Sequence, residues 1–120
     1  MKKKILCVED HEDMCSLVVL VLAEYEVVST HSKAEAQRLA MSQQFDLYLL
    51  DYHLPDGTGL ELGLLLRTYD KHTPIVFFTG DFAIIERHLA LAGAEGLLKK
   101  GPLFVDQLES AIAQALTTRS

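Results

Sequence analysis

Five short apolar runs recur along the chain: Ile5-Leu6-Cys7-Val8, Val27-Val28, Leu47-Tyr48-Leu49-Leu50, Ile75-Val76-Phe77-Phe78 and Gly96-Leu97-Leu98. Each is too short for a helix and is bounded by polar, glycine or proline residues, which predicts strands buried on both faces. Helical stretches lie between them. Residues from about Glu12 to Glu24 read as a helix whose segment Leu17 to Ala23 is apolar on every side, a pattern that predicts burial or a partner. Ser32 with Glu35 makes a capping box that opens a second helix with Ala36, Leu39 and Ala40 inward. Thr58 with Glu61 repeats the box ahead of a leucine-rich helix to about Tyr69. A fourth helix runs from about Phe82 to Ala92 and stops at Gly93, the residue type that ends helices in the left-handed conformation. The fifth follows Gly101-Pro102, with Phe104, Val105, Leu108, Ala111, Ile112, Ala115 and Leu116 at helical spacing on one face. Five strands alternating with five helices demand an α/β fold on a mainly parallel sheet covered on both faces.

Composition narrows the class. The length of 120 residues predicts one domain spanning 1–120. A 49% hydrophobic content supplies a core without disulfides. The net charge of −6 argues against a nucleic-acid surface, because phosphate contact needs a basic patch. Met1-Lys2-Lys3-Lys4 is basic, but the apolar run behind it is too short for a signal peptide or a membrane span. Cys7 and Cys15 have no metal-site spacing. A reduced, cytoplasmic compartment is the expectation.

The polar residues at the carboxyl ends of the strands carry the chemistry. Glu9 and Asp10 follow the first strand, Asp51 the third, Thr79 the fourth and Lys99-Lys100 the fifth. Asp51 opens directly into Tyr52–Gly59, a tight loop marked by Pro55-Asp56-Gly57. Open sheets form sites outside these strand ends, and in the flavodoxin-like order 2-1-3-4-5 the first and third strands are neighbours at the switch point. Glu9, Asp10 and Asp51 then share one crevice. Like charges about 4 Å apart repel by about 4 kcal/mol at an effective dielectric of 20, so the cluster needs a cation or a raised pKa. Hard oxygen ligands with room for water suit Mg2+ better than Zn2+. Carboxylate nucleophile, hard metal, ammonium and hydroxyl are the parts needed to accept a phosphoryl group. Each residue alone has a plainer reading: Asp51 as a strand cap, Glu9 and Asp10 as helix-start acids, Thr79 as a helix cap with Asp81 the better candidate, Lys100 as a solvated lysine. Their occurrence on successive strand ends favours the chemistry.

On these residues the chain resembles a response regulator receiver domain of two-component signalling, over nearly all its length. The matching pieces are Ile5 to Asp10, Leu49 to Gly59, Pro74 to Gly80 and Gly93 to Lys100. The resemblance implies a (βα)5 doubly wound five-stranded sheet in the order 2-1-3-4-5. It implies Asp51 as phosphoacceptor and, with Asp10, direct ligand of Mg2+. Glu9 would assist through water, and the backbone carbonyl of His53 would be a further ligand. Thr79 would bond a phosphoryl oxygen and move on activation, and Lys100 would pair with the phosphoryl group. Lys100 takes that place rather than Lys99 because it stands seven residues after Gly93. The implied partners are a histidine kinase or phosphotransfer protein as donor, and a downstream protein or linked output domain. The second docks through the face of fourth helix, fifth strand and fifth helix, where exposed leucines would equally mark a homodimer face.

Three departures from the family pattern stand out. Gly101 intervenes between the lysine and Pro102, where a cis proline usually follows directly. Leu97 replaces the aromatic residue that switches with the threonine. The region around the first helix is shortened and more apolar. Rival classes fare worse. A haloacid-dehalogenase-type phosphatase needs an aspartate where His53 stands. A flavin carrier would meet an acidic crevice, and Thr58-Gly59 is a thin phosphate cradle. A degenerate receiver that binds partners without phosphorylation is favoured by Leu97 and Gly101 and opposed by the intact acid, hydroxyl and lysine set. The expectation is therefore a phosphorylation switch that catalyses only the gain and loss of its own phosphoryl group. Only Thr117 to Ser120 follow Leu116, so the chain is expected to work alone by docking or as a domain of a longer protein. His11 and His53 read as loop residues, with His53 placed to affect how water reaches an acyl phosphate.

Overall fold

A computed structural model of the chain describes residues 1–118. In chain order the elements are β1 (Lys4–Val8), α1 (Glu12–Val21), β2 (Glu26–Thr30), α2 (Lys33–Ser42), β3 (Leu47–Asp51), β4 (His53–Leu54), β5 (Gly57–Thr58), α3 (Gly59–Arg67), β6 (Ile75–Thr79), a 3-10 helix (Glu86–Ala92), β7 (Ala94–Lys99) and α4 (Phe104–Thr118). The main sheet is parallel throughout, in the order β2-β1-β3-β6-β7. With the small β4-β5 hairpin set aside, this is the expected flavodoxin-like order 2-1-3-4-5.

Strand alternation divides the core in two, because successive side chains leave a strand on opposite faces. Ile5, Cys7, Leu47, Leu49, Val76 and Phe78 face Val18 and Leu22 at the α1 end of the chain and Leu108 and Ile112 of α4. Leu6, Val8, Tyr48, Leu50, Ile75 and Phe77 face Ala36 of α2, Leu62 and Leu66 of α3 and Leu89 of the 3-10 helix. Both faces are covered, so the strands are continuous apolar runs.

Several elements differ from the sequence reading. The expected α-helix over Phe82 to Ala92 is a seven-residue 3-10 helix over Glu86–Ala92. Ile85 is extended, the Asp81 carbonyl accepts both the Ile84 amide and the Lys99 ammonium at 3.2 Å, and the Ile84 carbonyl bonds the same ammonium. Gly93 closes the turn at φ 67°, as expected. The 52–59 loop contains the β4-β5 hairpin. Asp56, expected as a turn residue, also caps α2: its carboxylate accepts from the amides of Lys33 and Ala34 at 2.7 and 3.0 Å. The box at Ser32 is half made, because Glu35 accepts from His31 N–H instead of the Ser32 amide. The Thr58–Glu61 box is complete. Helix α1 ends at Val21, and its all-round apolarity is only partly buried: Val19 is 45% and Leu20 74% exposed. Helix α3 ends at Arg67, two residues short of expectation, and Val105 in α4 is exposed. No helix among the described residues is long and apolar enough to cross a membrane.

Candidate functional site

The sheet register brings the expected strand ends together. Val8 pairs with Leu50, Asp51 with Phe78, and Thr79 with Lys99. Glu9, Asp51, Thr79 and Lys100 therefore leave the sheet at one edge. The amide of Lys100 donates to the Thr79 carbonyl at 2.8 Å, which carries the strand pairing one residue further and aims the lysine inward. Its ammonium then spans the acids, 2.5 Å from Glu9 Oε1 and 3.0 Å from Asp51 Oδ2, above the Phe78 ring. Lys99 does not reach this cluster. Asp51 is only 4% exposed, yet it borders an open cavity of about 680 Å³ with Asp10, His11, His53, Asp81 and Lys100 on its walls.

Electrostatics follow from this packing. Burial, and then the neighbouring Glu9, push the Asp51 carboxyl up to about 6, against the pull of Lys100. Burial also acts to raise Glu9, but bonds from the Lys100 ammonium and the His11 amide more than offset it and leave Glu9 below the usual carboxylate range. Burial works against the charge on Lys100, and the two carboxylates overcome it, so the ammonium stays charged. His11 is raised by its bond to Glu9 and then by Asp10; its Nδ1 lies 3.1 Å from Glu9 Oε2 and 3.2 Å from Asp10 Oδ1. Two carboxylates share the Lys100 ammonium, with Asp10 beside His11 at the same strand end, so negative charge exceeds what the lysine neutralises, and this adds to burial in raising the Asp51 pKa.

That surplus, with room at the cavity mouth, fits a hard divalent cation. Ligand atoms of Glu9, Asp10 and His11 lie within 4.8 Å of one another. The side chain of His53, whose carbonyl was the expected further ligand, bonds Asp81 Oδ2 through Nε2 at 2.9 Å. Thr79 is fully buried, and its Oγ1 accepts the Asp81 amide proton at 3.0 Å. No cis peptide occurs among the described residues.

In the sequence Gly59 stands out only as the end of the tight loop after Asp51 and as part of a thin phosphate cradle. A Cβ there would lie 2.2 Å from the Asp51 carbonyl oxygen, because the start of α3 is drawn onto this backbone by a 2.6 Å bond from Gly59 N–H to the Tyr52 carbonyl. Only the backbone of a neighbouring element, invisible in local sequence, reveals this. Gly59→Ala is expected to lower stability by about 3 kcal/mol, the upper end for overpacking, read as a lower urea midpoint. A variant as stable as the wild type would mean that the two backbones separate freely.

Comparison with known proteins gives a consistent picture. Residues 5–113 match the family model for the response regulator receiver domain. The response regulator protein PilR of Pseudomonas aeruginosa is 32% identical over 122 residues, covering 99% of this chain and 27% of that protein. The chain thus spans about a quarter of PilR. The polar-differentiation response regulator DivK of Brucella anthropi is 31% identical over 124 residues, covering 96% of this chain and 100% of DivK. The crystal structure of the response regulator protein TrrA of Thermotoga maritima, in complex with Mg2+ and BeF, superposes with a TM-score of 0.85 at 27% identity, covering 94% of this chain and 98% of that one.

Proposed function

The chain belongs to the response regulator receiver domain family, and from that premise we propose that residues 1–120 act as one phosphorylation switch with Asp51 as phosphoacceptor. The observation that carries this reading is the Lys100 ammonium bridging Glu9 and Asp51 at the mouth of the cavity. A histidine kinase or phosphotransfer protein presents phosphohistidine. An Asp51 carboxylate oxygen forms a bond to phosphorus as the P–N bond breaks, and the electron pair leaves with the donor imidazole. With a pKa of about 6, Asp51 is mostly ionised at neutral pH and keeps more nucleophilic strength than an ordinary carboxylate. Lys100 pairs with a phosphoryl oxygen, and Thr79 donates its hydroxyl proton to another. Asp10, Asp51 and the His53 carbonyl would hold Mg2+, with Glu9 assisting, and the ion would supply charge neutralisation for the transferring group.

Catalysis is confined to this chain's own aspartate. The added phosphoryl carries about −1.5 to −2 charge. Turning a 1:99 equilibrium into 99:1 takes about 5.5 kcal/mol of preference for the active state, and Thr79 and Lys100 are the bonds that supply it. Leu97 has no ring to rotate, so the signal leaves through backbone movement at the face of the 3-10 helix, β7 and α4, toward a downstream protein, a linked output domain or a second copy. The free thiols Cys7 and Cys15 suit a cytoplasmic setting. The degenerate reading keeps Leu97 and Gly101 in its favour, but leaves the Lys100 bridge without a purpose.

The test is a mass measurement after incubation with acetyl phosphate and Mg2+. One phosphoryl group is the expected gain; an unchanged mass overturns the proposal in favour of the degenerate reading. Asp10→Asn is expected to weaken Mg2+ binding by at least the roughly 10–100-fold that outer-shell partners are worth, measured by calorimetric titration. An equal affinity would remove Asp10 from the ligand set.

A further inference from the structure

Strand β7 runs into two adjacent lysines, and neighbouring side chains at a strand end point to opposite faces. Lys100 serves the acid cluster. Lys99 goes elsewhere: its ammonium donates to the Asp81 carbonyl at 3.2 Å, bonds the Ile84 carbonyl, and lies 5.6 Å from the centroid of the Phe82 ring. All three groups belong to one arch, residues 81–85, between β6 and the 3-10 helix.

Asp81 is the pivot of that arch. Its amide donates to Thr79 Oγ1 at 3.0 Å, its Oδ1 accepts from Ala83 N–H at 3.0 Å, and its Oδ2 bonds His53 Nε2 at 2.9 Å. A hydroxyl that accepts an amide proton has its own proton free to donate. The Asp81 amide therefore presets Thr79 as a donor, and the Asp81 carboxylate holds His53 across the cavity that Asp51 borders. These bonds hold Asp81 at its own end of the arch, and the Lys99 ammonium is the group that ties both Asp81 and Ile84 to β7.

We propose that Lys99 is a positioning residue for the phosphoryl-accepting site: by clasping the 81–85 arch it sets Asp81, and through Asp81 it orients the Thr79 hydroxyl and keeps His53 over the cavity mouth. The role in phosphoryl chemistry rests on the receiver reading above; the clasp itself does not. A side chain of equal reach without charge releases the arch, because the Ile84 carbonyl then turns to water and the β-branched pair Ile84-Ile85 has little helical preference to hold it.

The experiment compares wild type, Lys99→Met and Lys99→Arg. In the unphosphorylated protein, the Met variant is expected to shift the Asp81 amide and His53 ring NMR signals, and the Arg variant to bring them back. After loading with acetyl phosphate and removal of the donor, the Met variant loses its phosphoryl group several-fold faster, with Mg2+ affinity unchanged and the Arg variant close to wild type. Unshifted Asp81 and His53 signals would overturn the clasp. So would losses of urea stability, Mg2+ affinity and phosphoryl lifetime that fall in parallel and that arginine does not restore, which is the mark of a merely structural lysine. A wild type that never takes up phosphoryl sinks the receiver chemistry, while the NMR comparison still decides the clasp.

Discussion

Asp51→Asn is expected to take up no phosphoryl group from acetyl phosphate, yet above pH 6 to unfold at a higher urea concentration than the wild type. The first half follows from losing the proposed nucleophile. The second follows from the energy stored at the site. Burial and the nearby Glu9 lift the Asp51 carboxyl from 3.8 to about 6 even with Lys100 beside it. Each tenfold shift in acidity corresponds to about 1.4 kcal/mol, so keeping this group charged at neutral pH costs the native state on the order of 2–3 kcal/mol. A group whose native pKa is raised holds its proton more tightly when folded. Its contribution is therefore favourable below pH 4 and is lost as pH climbs through about 6. Asparagine cannot ionise and escapes that loss. The variant's advantage should be present at pH 7 and vanish near pH 4 in urea melts. An advantage that does not change with pH would place its origin in packing.

Lys100→Met has the opposite sign. It leaves Glu9 and Asp51 buried together with no cation between them, at distances where each was held by the same ammonium. Removing one partner of a buried charge cluster costs about 3–5 kcal/mol, and the lower figure is expected here because Asp51 can protonate in response. The deficit should shrink as pH falls to 5, since neutral carboxyls need no partner, and Mg2+ should restore more stability to the variant than it adds to the wild type. On the receiver reading, phosphoryl uptake is also expected to fall, because one charge that would face the incoming oxygens is gone. A deficit equal at pH 5 and pH 8 would show that the lysine stem on the Phe78 ring, and not its charge, is what holds this edge.

The strand ends were legible because a doubly covered parallel sheet forces an apolar run to stop where it meets water. Glu9, Asp51, Thr79 and Lys100 each follow such a run, and the sheet order does the rest. The 3-10 helix was not legible: Phe82 to Ala92 has helical composition, and the extended Ile85 and the Lys99 bonds that accompany its broken start involve a residue from another strand. The β4-β5 hairpin is two residues a side, too short for any periodicity. The capping of α2 by Asp56 joins residues more than twenty apart. In α1 the sequence was apolar all round and so carried no face signal; only packing decides that Val18 is inside and Leu20 outside.

That long-range cap has a mechanical consequence. Asp56 fastens the hairpin below Asp51 to the first turn of α2, while the completed Thr58–Glu61 box fastens it to α3. One wall of the cavity is thereby braced against two helices. The arch of residues 81–85 has no such helix cap among the described residues; it is held by the Asp81 bonds to Thr79 and His53 and by the Lys99 ammonium. If Asp51 is the phosphoacceptor, strain introduced there meets its stiffer side at the hairpin, and displacement is expected to travel the other way, along residues 81–85 toward the exposed ring of Phe82.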